Sequence, residues 1–221
     1  MSRPAMVFAA GLGRRMGVLT RDRPKPLVEV AGRPLIDRAL DLAEEARAAP
    51  VVVNAHHHAE LLRGHLHGRD VRVSDEPVLL ETGGGLRAAL PLLGPGPVWT
   101  LNCDAAWTGP NPLLALEAAW RDGMEALLLL VPREAARGHA GGDFDVGADG
   151  RLARGGAFVY TGAQILRTEG LMEIGEAAFS LNRLWDAAEA RGGLHGLVHA
   201  GGWCDVGRPE SIPLAEAMLR G

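Results

Sequence analysis

The chain has 221 residues, enough for one α/β domain with a sizeable core or for two small ones. Its composition, 47% hydrophobic and 23% charged, is that of an ordinary globular protein, and a net charge of −4 argues against a general binder of nucleic acid or anionic membrane. No apolar run approaches the ~18 residues of a membrane helix. Ala5 to Ala10 is too short for a signal-peptide core, and Cys103 and Cys204 form neither a disulfide framework nor a zinc pattern, so a reduced, cytoplasmic protein is expected.

In chain order, short buried runs alternate with helical periodicity, which predicts a mainly parallel sheet covered by helices. Ala5 to Ala10 reads as a first strand. Pro34 to Arg47 reads as a helix whose face is Leu35, Ile36, Ala39, Leu40 and Ala43. Val51 to Val53 is a strand, Ala59 to Leu66 a helix and Val71 to Ser74 a strand. A turn at Gly83 to Gly85 then leads into a helix through about Leu92. Pro97 to Cys103 reads as a strand, Pro112 to Asp122 as a helix and Met124 to Val131 as a strand. Gly138 to Gly156 is glycine-rich and predicted irregular. Phe158 to Thr161 is a strand, and Leu181, Leu184, Trp185 and Ala188 mark a helix. His195 to His199 is a strand and Pro209 to Arg220 a closing helix. No repeat or linker divides the chain, so a single domain over residues 1–221 is expected.

The first strand runs into Ala10-Gly11-Leu12-Gly13-Arg14-Arg15-Met16, a glycine loop at the carboxyl end of a strand, where open α/β sheets place ligands. Glycines let the backbone turn tightly and present N–H groups to an anion. Met16 stands where a dinucleotide fingerprint needs its third glycine, and no Gly-Lys-Ser/Thr follows for a P-loop. Pro24-Lys25-Pro26 then fixes the backbone around one lysine. Arg15 and Lys25 are thus candidates to converge on one polyphosphate, the alternative being two solvated surface cations.

These strings, with Leu19-Thr20, Pro24-Lys25-Pro26-Leu27 and Val30-Ala31-Gly32-Arg33-Pro34-Leu35-Ile36, resemble the sugar-1-phosphate nucleotidyltransferases. The family usually has proline where Val18 stands. The resemblance implies a Rossmann-like, mainly parallel sheet with helices on both faces. It divides the chain into a nucleotide-binding part, about 1–110, and a sugar-binding part, about 111–221. It also implies nucleotide contacts from Ala10, Gly11, Gly13, Arg15, Met16, Lys25 and Asn102, with Arg15 and Lys25 as the catalytic cations.

Transfer of a nucleotidyl group needs positive charge on the phosphates, commonly Mg²⁺ on one or two carboxylates. The resemblance assigns that role to Asp104, in Leu101-Asn102-Cys103-Asp104, and Asp205, in Trp203-Cys204-Asp205-Val206-Gly207. Cys103 replaces the family's glycine and Arg208 its threonine. Because neighbouring strand residues face opposite ways, Cys103 and Cys204 are expected to point into the interior. His56, His57, His58, His65 and His67 read as solvated helix-entry residues, although Asn54 and His56 lie at the sheet edge where a nucleotide sits.

Glu81-Thr82-Gly83-Gly84-Gly85 resembles the loop that meets the nucleobase in the uridylyltransferase branch, with Glu81, Thr82 and Gly83 as contacts. Gly142, Asp143, Tyr160, Thr161 and Gly162 align with the segments that hold the sugar. The family's Glu-Lys-Pro segment is replaced by Gly150 to Gly156. The implied reaction joins UTP to a sugar 1-phosphate, of the N-acetylmuramic acid type used in peptidoglycan recycling, with Mg²⁺ as cofactor and small molecules as the only evident partners. A guanylyl- or cytidylyltransferase is the alternative within the class. A catalytically silent nucleotide-sugar sensor is the alternative outside it.

Overall fold

In the computed structural model, which describes residues 2–221, the chain opens with β1 (Ala5–Phe8) and a small hairpin, β2 (Glu29–Val30) and β3 (Arg33–Pro34). Next come α1 (Leu35–Glu45), β4 (Val51–Ala55), α2 (Ala59–Leu66), β5 (Arg72–Asp75), α3 (Glu81–Leu93) and β6 (Val98–Asn102). The second half holds β7 (Ala105–Trp107), α4 (Pro112–Ala119), β8 (Ala126–Pro132), β9 (Phe144–Val146), β10 (Leu152–Arg154) and β11 (Phe158–Leu166). It closes with α5 (Asn182–Ala190), β12 (Leu194–Val198), β13 (Trp203–Asp205) and α6 (Ser211–Arg220).

Nine strands make the main sheet, whose backbone of order is β5-β4-β1-β6-β11-β8-β12, with the β9–β10 hairpin joined to the start of β11. Neighbours among β5, β4, β1 and β6 are all parallel, as are β8 and β12. Only β11, antiparallel to β6 and β8, and β10, antiparallel to β9, run against the common direction, so the sheet is mostly parallel. This is the α/β fold read from the sequence.

Strand alternation explains why helices cover both faces. Ala5, Val7, Val51, Val53, Leu127 and Leu129 are buried in one core cluster with residues of α1, α2 and α4. Met6, Val52, Leu128 and Leu130 are buried in another with Leu86 and Leu93 of α3 and Leu184 and Trp185 of α5. A third cluster joins Met16, Val30 and Leu35 to Cys204, Val206 and Met218 of α6, under the antiparallel pair β7–β13.

Four sequence readings change. The Gly83 to Gly85 turn belongs to α3 itself. The Gly138 to Gly156 segment contains the β9–β10 hairpin. β11 continues to Leu166, past a register shift between Tyr160 and Gln164. α4 stops at Ala119 because Trp120 turns extended, with φ −64° and ψ 134°. Its start is well marked: the Asn111 side chain accepts from the N–H groups of Leu113 and Leu114 at 2.8 and 3.3 Å, ahead of Pro112.

Candidate active site

The chain leaves β1 for β4 on one side and later returns through β6 on the other, so the carboxyl ends of β1 and β6 flank a topological switch point, where open α/β sheets bind ligands. A cleft of about 380 Å³ lies there. Ala10, Gly11, Lys25, Asn54, Glu81, Thr82, Asn102 and Asp104 line it, as do Glu76, Leu79 and Ser180, which the sequence reading did not single out.

The two loop glycines serve different needs. Gly13 is left-handed, with φ +61°, and a Cβ there would meet the side chains of Thr20 and Lys25 at 2.9 and 3.0 Å. Gly11 has open space where a Cβ would stand, leaving the loop unobstructed toward the cleft. The Met16 side chain is fully buried in the third core cluster and its N–H donates to the Gly13 carbonyl at 2.8 Å, so it packs beneath the loop.

Lys25 is buried, with Nζ 2.5 Å from Asp104 Oδ2. β13 pairs antiparallel with β7, Asp205 opposite Ala105, and the Val206 N–H donates to the Asp104 carbonyl at 2.8 Å. That ladder brings together two acids far apart in sequence. Arg15 reaches the same place: a Cβ on Gly207 would lie 3.0 Å from both the Arg15 guanidinium and an Asp205 carboxylate oxygen. Lys25, Asp104, Asp205 and Arg15 therefore form one cluster at the end of the cleft. His139 joins it, Nδ1 3.7 Å from Asp205, carried there by Arg137, which bridges to Cys204.

Burial, and then the charge of Asp104, push the Asp205 carboxyl above its ordinary range, against the opposing pull of Lys25, Arg15 and His139. Two carboxylates whose mutual repulsion is only partly offset are hard oxygen donors of the kind that hold a divalent cation. Among the described residues no set of three or more His, Cys, Asp and Glu forms a closed metal cage. The cysteines lie where alternation put them: both are buried, and burial raises both thiols, Cys204 to about 11.

At the other end of the cleft, Glu81 carries φ +59° as it starts α3. Gly83 is packed closely. A Cβ there would lie 2.4 Å from the Phe179 ring, and the N–H groups of Gly83 and Gly84 both donate to the Phe179 carbonyl. Those glycines make room for the Phe179 segment. The Thr82 hydroxyl accepts from the Leu181 N–H at 3.0 Å. His67 is exposed and His58 enters α2, as read, but several of these rings are also tied down: Nδ1 of His56 meets the Glu76 carbonyl at 2.7 Å and Nε2 of His58 meets the Arg21 carbonyl at 3.0 Å, while His65 pairs with Asp37 at 2.7 Å.

The five residues aligned with sugar-holding segments lie outside the lining of this cleft. Asp143 Oδ2 accepts from the Tyr160 N–H at 2.9 Å, pinning β11. Tyr160 packs edge-on to Trp185, and burial raises its hydroxyl. Thr161 is buried and its hydroxyl donates to the Leu129 carbonyl at 2.7 Å. Gly142 abuts Gly156, whereas Gly162, with φ +88°, lets β11 approach Asn102 at the cleft wall so closely that a Cβ would lie 2.7 Å from its side chain.

Cations and acids gathered at the switch point of an open α/β sheet suit a nucleotidyltransferase, and the chain's likeness to known proteins shows that class. Residues 5–196 match the MobA-like NTP transferase domain family. The chain is 41% identical to the N-acetylmuramate alpha-1-phosphate uridylyltransferase of Caulobacter vibrioides, over 97% of this chain and 96% of that protein. It is 35% identical to the protein of the same name from Neisseria meningitidis serogroup B, over 97% of both. A putative glucose-1-phosphate thymidylyltransferase from Bacillus anthracis shares the fold, with a TM-score of 0.82 at 15% identity over 99% of this chain and 96% of that one. The chain belongs to the MobA-like NTP transferase family, and the resemblance to sugar-1-phosphate nucleotidyltransferases read from its motifs holds. Among the described residues, no helix is long and apolar enough to cross a membrane.

Proposed function

We propose that the chain transfers a uridylyl group from UTP to a sugar 1-phosphate, N-acetylmuramic acid 1-phosphate by preference, releasing pyrophosphate. The names of the two whole-length relatives support the base and the acceptor. The observation that carries the chemistry is the meeting of Lys25, Arg15, Asp104 and Asp205 at one end of the cleft. Mg²⁺ held by Asp104 and Asp205 would supply charge to the triphosphate and to the leaving pyrophosphate.

The attacking oxygen belongs to a sugar phosphate already ionised at neutral pH, so no protein nucleophile or base is needed. It forms the new P–O bond to the α-phosphorus as the bond to pyrophosphate breaks. Lys25 and Arg15 hold the phosphates in line and offset the charge that develops on them. The loop from Gly11 to Gly13 offers backbone N–H groups to the same anion, and Glu81, Thr82 and Asn102 face the nucleoside. Residues from about 111 onward, Gly142, Asp143, Tyr160 and Gly162 among them, form the acceptor side, Asp143 and Tyr160 by shaping β11. The role is cytoplasmic peptidoglycan recycling, with small molecules as the partners.

A matrix of four nucleoside triphosphates against several sugar 1-phosphates, read by pyrophosphate release in Mg²⁺, tests the reading. UTP with N-acetylmuramic acid 1-phosphate should turn over fastest. Preference for GTP or CTP, or another sugar, assigns a different specificity, and binding without turnover makes the chain a sensor.

A further inference from the structure

Glu76 lies just past β5, buried to 3% exposure, and lines the cleft without an ion-pair partner among the described residues. Oε1 accepts from Asn54 Nδ2 at 2.6 Å and Oε2 accepts from the Leu80 N–H at 3.0 Å. Both oxygens thus face donors. Asn54, equally buried, turns its Oδ1 to the N–H groups of Ala9 and Ala10, at 2.6 and 3.3 Å. A Cβ on Gly85 would lie 2.5 Å from Glu76 Oε1, so the first turn of α3 leaves this carboxylate its space. One buried acid therefore joins the segment that begins the glycine loop to the residue that precedes left-handed Glu81.

We propose that Glu76 is a positioning residue that locks the glycine loop and the entry of α3 into one nucleotide-binding frame, by dictating which way the Asn54 amide points. An acceptor-only carboxylate draws Nδ2 toward itself, which leaves Oδ1 for the loop. With the amide reversed, Nδ2 would confront the two loop N–H groups and Oδ1 the carboxylate. The loop that meets the phosphates and the residues that face the nucleoside are then ordered by a single group that need touch neither. This inference rests on the nucleotide reading of the cleft given above.

The geometry supplies an exchange test. In Glu76→Gln, the side-chain amide offers one acceptor and one donor to two facing donors, so a buried hydrogen bond is lost. In Asn54→Asp, two carboxylates face each other. In the double variant every bond can return. The introduced glutamine would donate its amide N–H to the introduced aspartate and accept from the Leu80 N–H, while the aspartate would still accept from the loop. Loss of one buried bond weakens UTP binding by about tenfold or more in each single variant. The double variant should recover to within about threefold of wild type, and the KM for the sugar phosphate should stay unchanged throughout. Hydrogen exchange at Ala9 and Ala10, measured without nucleotide, should quicken in both single variants and slow again in the double. Wild-type UTP affinity in Glu76→Gln, or a double variant no better than the single ones, overturns the proposal. If wild type itself binds GTP or CTP but not UTP, the uridylyl reading fails, and the nucleotide-free exchange still decides the role of Glu76.

Discussion

Replacing Asp205 by Asn should stabilise the ligand-free protein while removing its turnover. The Asp205 side chain is 15% exposed, and its carboxyl sits above the ordinary range because of burial and then Asp104. An acid whose folded pKa exceeds its unfolded value, near 3.9, destabilises the fold once ionised. That penalty is absent below the unfolded pKa, grows as pH rises to the folded value, and is complete above it. Asparagine keeps the shape and removes the charge. Relief of this kind at functional sites yields about 0.5–2 kcal/mol, and about 2–4 °C per kcal/mol for a chain of this length gives a rise of roughly 1–8 °C. Thermal melts with EDTA at pH 7 read the gain, and melts near pH 3.5, just below the unfolded value, should show it vanish. Pyrophosphate release at saturating Mg²⁺ and UTP should fall by about 10²–10³. A lower melting temperature for the variant at neutral pH would refute the electrostatic reasoning; normal turnover would remove Asp205 from the proposed mechanism.

Lys25→Met should lower kcat by about 10²–10³, because Nζ stands beside Asp104 at the end of the cleft proposed for the phosphates and no other lysine is present to replace it; steady-state pyrophosphate release with UTP checks this. Gly83→Ala should cost about 1–3 kcal/mol, since its methyl would enter the space of the Phe179 ring, and a urea midpoint equal to wild type would contradict that packing. His199 Nε2 meets the Thr108 carbonyl at 3.0 Å and so carries the proton, leaving Nδ1 buried and unpartnered. Burial lowers its pKa, so the unfolded chain binds this proton first and stability falls as pH drops below about 6.5. His199→Gln should flatten that part of the stability–pH curve, measured by denaturant titration between pH 7 and 5.

Local chemistry made the strands and most helices legible. Val51, Val52 and Val53 alternate between two cores, and Asn111-Pro112 writes the start of α4 in its own cap. Asp104 and Lys25 were legible as charged residues in rigid contexts, but nothing local brings Asp205 beside Asp104. That contact depends on the β7–β13 pairing, between strands of three residues each, too short to carry a period. Glu76 escaped for a related reason. A lone glutamate after a strand reads as a solvated charge until its two donors, Asn54 and Leu80, are seen to arrive from different elements.

The glycines of α3 show how one residue type answers two demands. Close approach is the shared requirement, and a sequence cannot say what approaches. Here the neighbours are Phe179 at Gly83, the Ala177 carbonyl at Gly84 and the Glu76 carboxylate at Gly85. The three glycines of the Glu-Thr-Gly-Gly-Gly string therefore act on the cleft at one remove. It seats the Phe179 to Leu181 segment on one side and leaves Glu76 its space on the other, and these together hold Glu81 and Thr82 at the cleft. A side chain at Gly85 would then disturb the loop after β1 through Glu76 and Asn54, without touching that loop itself.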